Sequence, residues 1–298
     1  MTLDEVVRTR GLTKRYGDVV GVEDLEFDVP RQIIFGYLGP NGAGKTTTIR
    51  LLTGLMRPSD GRAEVFGLDT VRQSDEIQRR VGYLPGDFVA YDDMTGADYL
   101  RYLGNLRGVN HWSAVDRLAE RLELDLSRRI GALSHGNRQK VGLMQAFMHD
   151  PDLLILDEPT SGLDPLIQQQ FLSLVREARD QGKTVFLSSH ILDEVEAVAD
   201  RVAILRKGRL VVVEDVASLK AQALRRIELT FENTPPTGKI ERAEGVREID
   251  VRDHTASVVV EGSTADLLAA VAPYGVVDIS THEADLEEIF LTYYTEEA

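Results

Sequence analysis

The sequence predicts an α/β fold, a mostly parallel sheet covered by helices on both faces, followed by a small α+β domain. Three observations carry that expectation. Short apolar runs at residues 33–38, 153–156, 184–188 and 202–205 read as buried strands, and stretches of helical periodicity at 46–55, 165–181 and 191–199 alternate with them. Alternation of this kind implies crossover connections, and crossovers favour parallel pairing. Beyond about residue 217 the pattern changes to short strands divided by Pro235, Pro236 and Gly238. A chain of 298 residues with 43% hydrophobic content has room for one large core and one small one.

In chain order, residues 6–10 and 25–29 are expected as strands, and 33–38 as a strand running into a glycine-rich turn and a helix. Between Glu76 and Arg129 apolar residues recur at three and four spacing, as in Tyr99, Tyr102, Leu103 and Leu106, then Val115, Leu118 and Leu122. An all-helical insertion is expected there, forming a helical subdomain over about 87–150 within a first domain of residues 1–216. The second domain, 217–298, is expected to hold a strand at 226–231, an antiparallel pair at 247–251 and 257–261, helices at 265–272 and 284–292, and a strand at 276–280.

Composition removes several classes of function. The net charge of −15 disfavours wholesale binding to nucleic acid or to anionic lipid, both of which reward Lys and Arg. There are no cysteines, so disulfides, thiolate metal sites and thiol nucleophiles are out. No apolar run approaches the roughly 20 residues that cross a bilayer, so direct membrane insertion is not expected. The opening residues carry no basic flank leading into an apolar stretch, and residence in the cytoplasm is the expectation.

The strongest local signal is Gly39, Pro40, Asn41, Gly42, Ala43, Gly44, Lys45, Thr46 and Thr47, a G-x-x-x-x-G-K-[ST] loop between a strand and a helix. Glycines allow successive backbone N–H groups to turn inward on a phosphate, and the helix N-terminus adds its dipole. Lys45 is expected on the β- and γ-phosphates of ATP and the Thr46 hydroxyl on Mg²⁺. Downstream, the apolar strand at 153–156 ends in Asp157 and Glu158. Asp157 is placed to hold Mg²⁺ or its water, and Glu158 to orient or deprotonate the water that attacks the γ-phosphate.

These residues resemble the nucleotide-binding subunits of ABC transporters, over roughly residues 5–215. The most specific part is Leu133-Ser134-His135-Gly136-Asn137, followed by Arg138, Gln139, Lys140, Val141 and Gly142, which looks like the family's signature sequence. The resemblance implies that Ser134 and Gly136 contact the γ-phosphate of ATP bound to another subunit. Taken alone, Ser134 reads as a helix cap. His135 and Asn137 depart from the usual Gly and Gln of the signature. The run from Ser161 to Asp164 resembles the D-loop at the dimer interface, and His190 matches the switch histidine that senses the γ-phosphate. Tyr16 matches the aromatic residue that stacks on adenine. The family usually has a Gln after Val-Gly-Tyr-Leu-Pro85, and here Gly86 stands in that place with Asp87 beside it.

One phosphate loop and one signature imply a pair of chains, a second copy or a paralogous ATPase subunit, closing on two ATP molecules. The resemblance further implies a separate transmembrane permease subunit, with the loop from Gly86 to Thr95 as its contact and the chain held at the inner face of the membrane. The C-terminal residues from Ala284 to Tyr294 resemble those of exporter ATPases of the daunorubicin and multidrug-resistance type. Two other classes lack their marks: no basic linker joins a second nucleotide domain, and no Asn-Lys-x-Asp guanine motif occurs.

Overall fold

The computed structural model describes residues 5–109, 112–222 and 224–282. Chain packing divides it into two compact units, Met1–Val213 and Glu214–Ala298.

The first unit opens with two long antiparallel strands, β1 (Glu5–Tyr16) and β2 (Val19–Pro30). Next comes β3 (Ile34–Leu38), all five of whose residues are buried, as a central strand covered on both faces requires. The phosphate-loop sequence then leads into α1 (Lys45–Leu52). Two further strands, β4 (Asp60–Val65) and β5 (Leu68–Asp69), complete an antiparallel sheet in the order β2-β1-β4-β5. A short helix, α2 (Ser74–Arg80), delivers β6 (Val81–Leu84). Three helices follow, α3 (Gly96–Arg107), α4 (Ser113–Arg121) and α5 (His135–Phe147). The chain then alternates through β7 (Leu153–Asp157), α6 (Pro165–Asp180), β8 (Thr184–Ser189), α7 (Leu192–Glu196) and β9 (Arg201–Arg206) to β10 (Arg209–Asp215).

The second sheet runs β10-β9-β3-β8-β7-β6, and from β9 to β6 every pairing is parallel. Between β9 and β10 the two turn residues Lys207 and Gly208 both have positive φ, 48° and 81°, the backbone of a tight two-residue hairpin. Alternate residues of β3 face opposite layers. Phe35 and Tyr37 join Phe27 of β2 and Phe186 of β8 in an aromatic cluster with ring centroids 5.1 to 6.4 Å apart, which seals the two sheets together. The buried Tyr37 hydroxyl shares a 3.0 Å hydrogen bond with Thr48 Oγ1, tying α1 to the strand that precedes it. Burial pushes that phenol far above its usual range.

One expectation needs correction. The stretch from Glu76 to Arg129 is not all helical, because β6 lies inside it as a strand paired to β7. Four residues are too few to show a period of their own amid helical neighbours. Likewise the helix expected at 191–199 is only Leu192–Glu196.

The second unit consists of α8 (Val216–Gln222), β11 (Leu224–Phe231), α9 (Thr237–Ile240), β12 (Val246–Arg252), β13 (Thr255–Glu261), α10 (Ala265–Val271) and β14 (Val276–His282). Its strands form an antiparallel sheet in the order β12-β13-β11-β14. Ile227, Leu229 and Phe231 alternate along β11 and, with Ala256, Val258 and Val260 of β13, pack under Ile240, Leu267 and Val271 of the two helices. The helix expected at 284–292 lies outside the described residues.

Candidate functional site

Parallel order brings the carboxyl ends of β3, β8, β7 and β6 to one edge of the sheet, where ligands of open α/β folds bind. The register places Leu38 beside Ser189 and Asp157 beside Ser188. Four loops separated by up to 150 residues of sequence therefore share one crest: the phosphate loop, the Asp157-Glu158 exit, the turn at His190, and Gly86.

The phosphate loop ends at Gly44, whose φ of 112° is open to glycine and strained for any residue with a Cβ. A Cβ there would also come within 2.7 Å of the Gly21 carbonyl oxygen. No side chain caps α1 behind it, whereas Thr95, Ser134 and Asp164 cap α3, α5 and α6. An uncapped start leaves first-turn N–H groups and the positive end of the helix dipole for an anion. Beside it lies a cavity of about 330 Å³, lined by Pro40 to Thr47 without Ala43, by Tyr16 and Val19 to Gly21 of the β1–β2 hairpin, and by Glu158.

Lys45 is 6% exposed, and its Nζ reaches back across the loop, donating to Gly39 O at 2.5 Å and Pro40 O at 3.3 Å. The same ammonium pairs with Glu158 Oε1 at 3.1 Å. Thr46 Oγ1 donates to Asp157 Oδ2 at 2.8 Å, and Ser188 Oγ donates to Asp157 Oδ1 at 2.5 Å. Because the Thr46 proton is committed to Asp157, the hydroxyl's lone pairs are left for an electrophile. Glu158 has a left-handed backbone, φ 48°, and its N–H donates to Ser188 O at 3.2 Å, which turns the side chain out of the strand. His190 Nδ1 lies 2.7 Å from Glu158 Oε2. The carboxylate of Glu158 is thus held between an ammonium on one oxygen and an imidazole on the other.

Tyr16 is 45% exposed at the cavity rim, with its hydroxyl donating to Met56 Sδ at 3.1 Å and lying 3.4 Å from Thr47 Oγ1. Its ring is a flat, partly exposed surface at that rim. At Gly86 a Cβ would sit 3.3 Å from Asp157 Oδ2, so this residue does occupy the flank of Asp157 and brings no side-chain ligand to it. Asp87 is exposed.

Ser134, Gly136 and Asp164 do not line that cavity. Ser134 caps α5 by accepting from Asn137 N at 3.3 Å, and Asp164 caps α6 by accepting from Leu166 N and Ile167 N, each at 3.1 Å. These two caps are neighbours, since a Cβ on Gly136 would come within 2.3 Å of Gly162 O. Two roles at the crest had no signal of their own in the sequence. Ser188 orients Asp157, and buried Gln139 on α5 donates through Nε2 to the carbonyls of Glu158 at 3.2 Å and Pro159 at 3.3 Å. Contacts like that of Gln139 are made 19 and 20 residues along the chain, beyond the reach of a local motif.

Comparison with known proteins adds the following. A family model described as "ABC transporter" matches residues 22–161. The bacitracin transport ATP-binding protein BcrA of Bacillus licheniformis is 38% identical over 70% of this chain and 69% of its own length. The daunorubicin/doxorubicin resistance ATP-binding protein DrrA of Streptomyces peucetius is 38% identical over 72% and 67%. The BcrA protein of Enterococcus faecalis is 31% identical over 97% and 96%. Among solved structures, an ATP-binding subunit of an ABC transporter superposes with a TM-score of 0.67 at 31% identity, covering 73% of this chain and 92% of that one.

Proposed function

This chain belongs to the ABC transporter family as an ATP-binding, ATP-hydrolysing subunit, and from that membership we propose how its crest works and what it drives. The observation that carries the reading is the Lys45–Glu158–His190 arrangement at the mouth of an uncapped α1.

ATP enters with its phosphates over the N–H groups of the loop and its base against Tyr16. Lys45 then exchanges Glu158 for phosphate oxygens, which frees one carboxylate oxygen. Glu158 accepts a proton from the attacking water as the new oxygen–phosphorus bond forms, and ADP leaves with the electrons of the broken bond. His190 holds the other oxygen of Glu158, and its remaining ring nitrogen would be the one to meet the γ-phosphate. The donor set suits Mg²⁺, which takes hard oxygens from one or two side chains and completes its shell with phosphate and water. Thr46 and Asp157 would hold it, and it would neutralise charge on the β- and γ-phosphates.

Ser134, Gly136 and Asp164 do not line this cavity, and the family's pattern assigns their contact to ATP bound to a second chain. Export through a separate transmembrane subunit is the direction we favour, on the strength of the antibiotic-transport and drug-resistance names of the relatives. The surface proposed for that subunit is the loop from Gly86 to Thr95, where Val89 and Tyr91 are exposed and the Tyr91 ring packs edge to face on buried Tyr99 and on Tyr102 at 6.1 and 6.3 Å. Held there, the chain sits at the inner face of the membrane; among the described residues no helix is long and apolar enough to cross one.

Steady-state ATPase of the purified chain tests the chemistry. Glu158→Gln is expected to lower kcat by about 10² to 10⁴-fold while fluorescent ATP analogues bind as before. An unchanged rate would falsify the role assigned to that carboxylate.

A further inference from the structure

Outside the cavity, one carboxylate spans the two loops that carry the catalytic pair. Thr160 Oγ1 donates to Glu194 Oε2 at 2.6 Å, and Ser189 Oγ lies 3.4 Å from the same oxygen. Thr160 comes two residues after Glu158 and is 3% exposed; Ser189 immediately precedes His190 and is 1% exposed. Ser189 Oγ also accepts from Ile191 N at 2.9 Å, so the backbone on both sides of His190 is bound into the same turn. With the 2.7 Å contact between His190 and Glu158, the ring closes: Glu158, Thr160, Glu194, Ser189, His190 and back to Glu158.

The Thr160 limb of the bridge is short, as hydrogen bonds to a carboxylate are, and the Ser189 limb at 3.4 Å is long. Glu194 is on α7, and the bond it takes from Thr160 crosses 34 residues of sequence. Burial raises the carboxyl of Glu194, with the hydrogen bonds from Thr160 and Ser189 opposing that rise. A group that only capped its own helix would have no reason to face both loops.

We propose that Glu194 is a positioning residue for ATP hydrolysis, its carboxylate holding the Glu158 loop and the His190 turn at the separation their contact needs. This rests on the catalytic reading of Glu158 and His190. It predicts an effect routed through His190, which separates it from a general contribution to stability.

Six full-length chains decide it: the parent, Glu194→Ala, His190→Ala, the double variant, Thr160→Val and Glu194→Gln. In the parent background Glu194→Ala should lower kcat about tenfold and leave the KM for ATP within about twofold, because misplacement by a fraction of an ångström affects the chemical step and spares binding. In the His190→Ala background the same change should alter kcat by less than about twofold. Thr160→Val, which keeps the shape and removes the hydroxyl, should reproduce the loss. Glu194→Gln, whose amide oxygen still accepts from Thr160, should keep at least about half the parental rate. Equal fold-losses in both backgrounds, or a parental kcat in Thr160→Val, would overturn the bridge. A kcat untouched by His190→Ala would overturn the catalytic pair, and the bridge with it.

Discussion

Thr46 and Asp157 come from segments 111 residues apart, yet the hydroxyl of one donates to the carboxylate of the other at 2.8 Å. That bond fixes which way the oxygen lone pairs of Thr46 point, and it fixes them before any cation arrives. Asp157 has no exposed surface and takes a second bond from Ser188, so its position is set from both sides. Thr46→Val should raise the Mg²⁺ concentration that supports half-maximal ATPase by about 10 to 100-fold. Binding of ATP in EDTA should change little, since the loop N–H groups and Lys45 remain; a Mg²⁺ requirement equal to the parent's would count against Thr46 as a ligand. At this scale the phosphate loop, Asp157 and Glu158 were legible in the sequence because the chemistry sits in contiguous residues next to a strand. Ser188, Gln139, Thr160 and Glu194 were not, because each acts through a partner on a different strand or helix. Gly86 was legible as a departure, and the geometry gives its consequence: that flank of Asp157 has no side chain of its own.

Elements position these residues, and one junction between them is sensitive to acid. His149 follows α5 and meets the end of α3 and the start of β6: Arg107 Nη1 lies 2.7 Å from His149 Nε2, which is 3.2 Å from Val81 O. A guanidinium only donates, so Nε2 accepts from it and the ring is neutral. Burial, then the charge of Arg107, lower the pKa of His149 to about 4, against the opposing backbone contacts with Val81 and Gln145 and the charge of Asp150. The unfolded chain takes up a proton near the ordinary value of 6.5 and the folded chain does not, so stability present above that pH is lost as pH falls toward 4. Melting temperature should therefore drop more steeply between pH 7 and pH 5 in the parent than in His149→Gln; equal slopes would remove His149 from the account. The sequence made the long helices and central strands legible through their periods, as at α6. It hid β6, whose four residues pair with β7 inside a helical stretch, and it lengthened α7, where buried Val198 and Ala199 extend the apolar pattern past the last helical turn.

For the whole molecule, the proposal turns on one chain carrying half of each site. The cavity is lined by the phosphate loop, Tyr16 and Glu158, while Ser134 and Asp164 cap two other helices and Gly136 is in the first turn of one of them, none of the three lining it. ATP stabilises a closed pair only by making contacts the separate chains cannot complete, so nucleotide and association are linked. The charge of −15 on each chain opposes that association, which makes the paired state depend on bound nucleotide and on ionic strength. The most direct measurement is the mass of the full-length Glu158→Gln chain by sedimentation equilibrium, with saturating ATP and Mg²⁺ and again with ADP. The account predicts twice the 33.1 kDa of one chain with ATP, carrying one nucleotide per chain, and a single-chain mass with ADP. A single-chain mass with ATP demonstrably bound would contradict it.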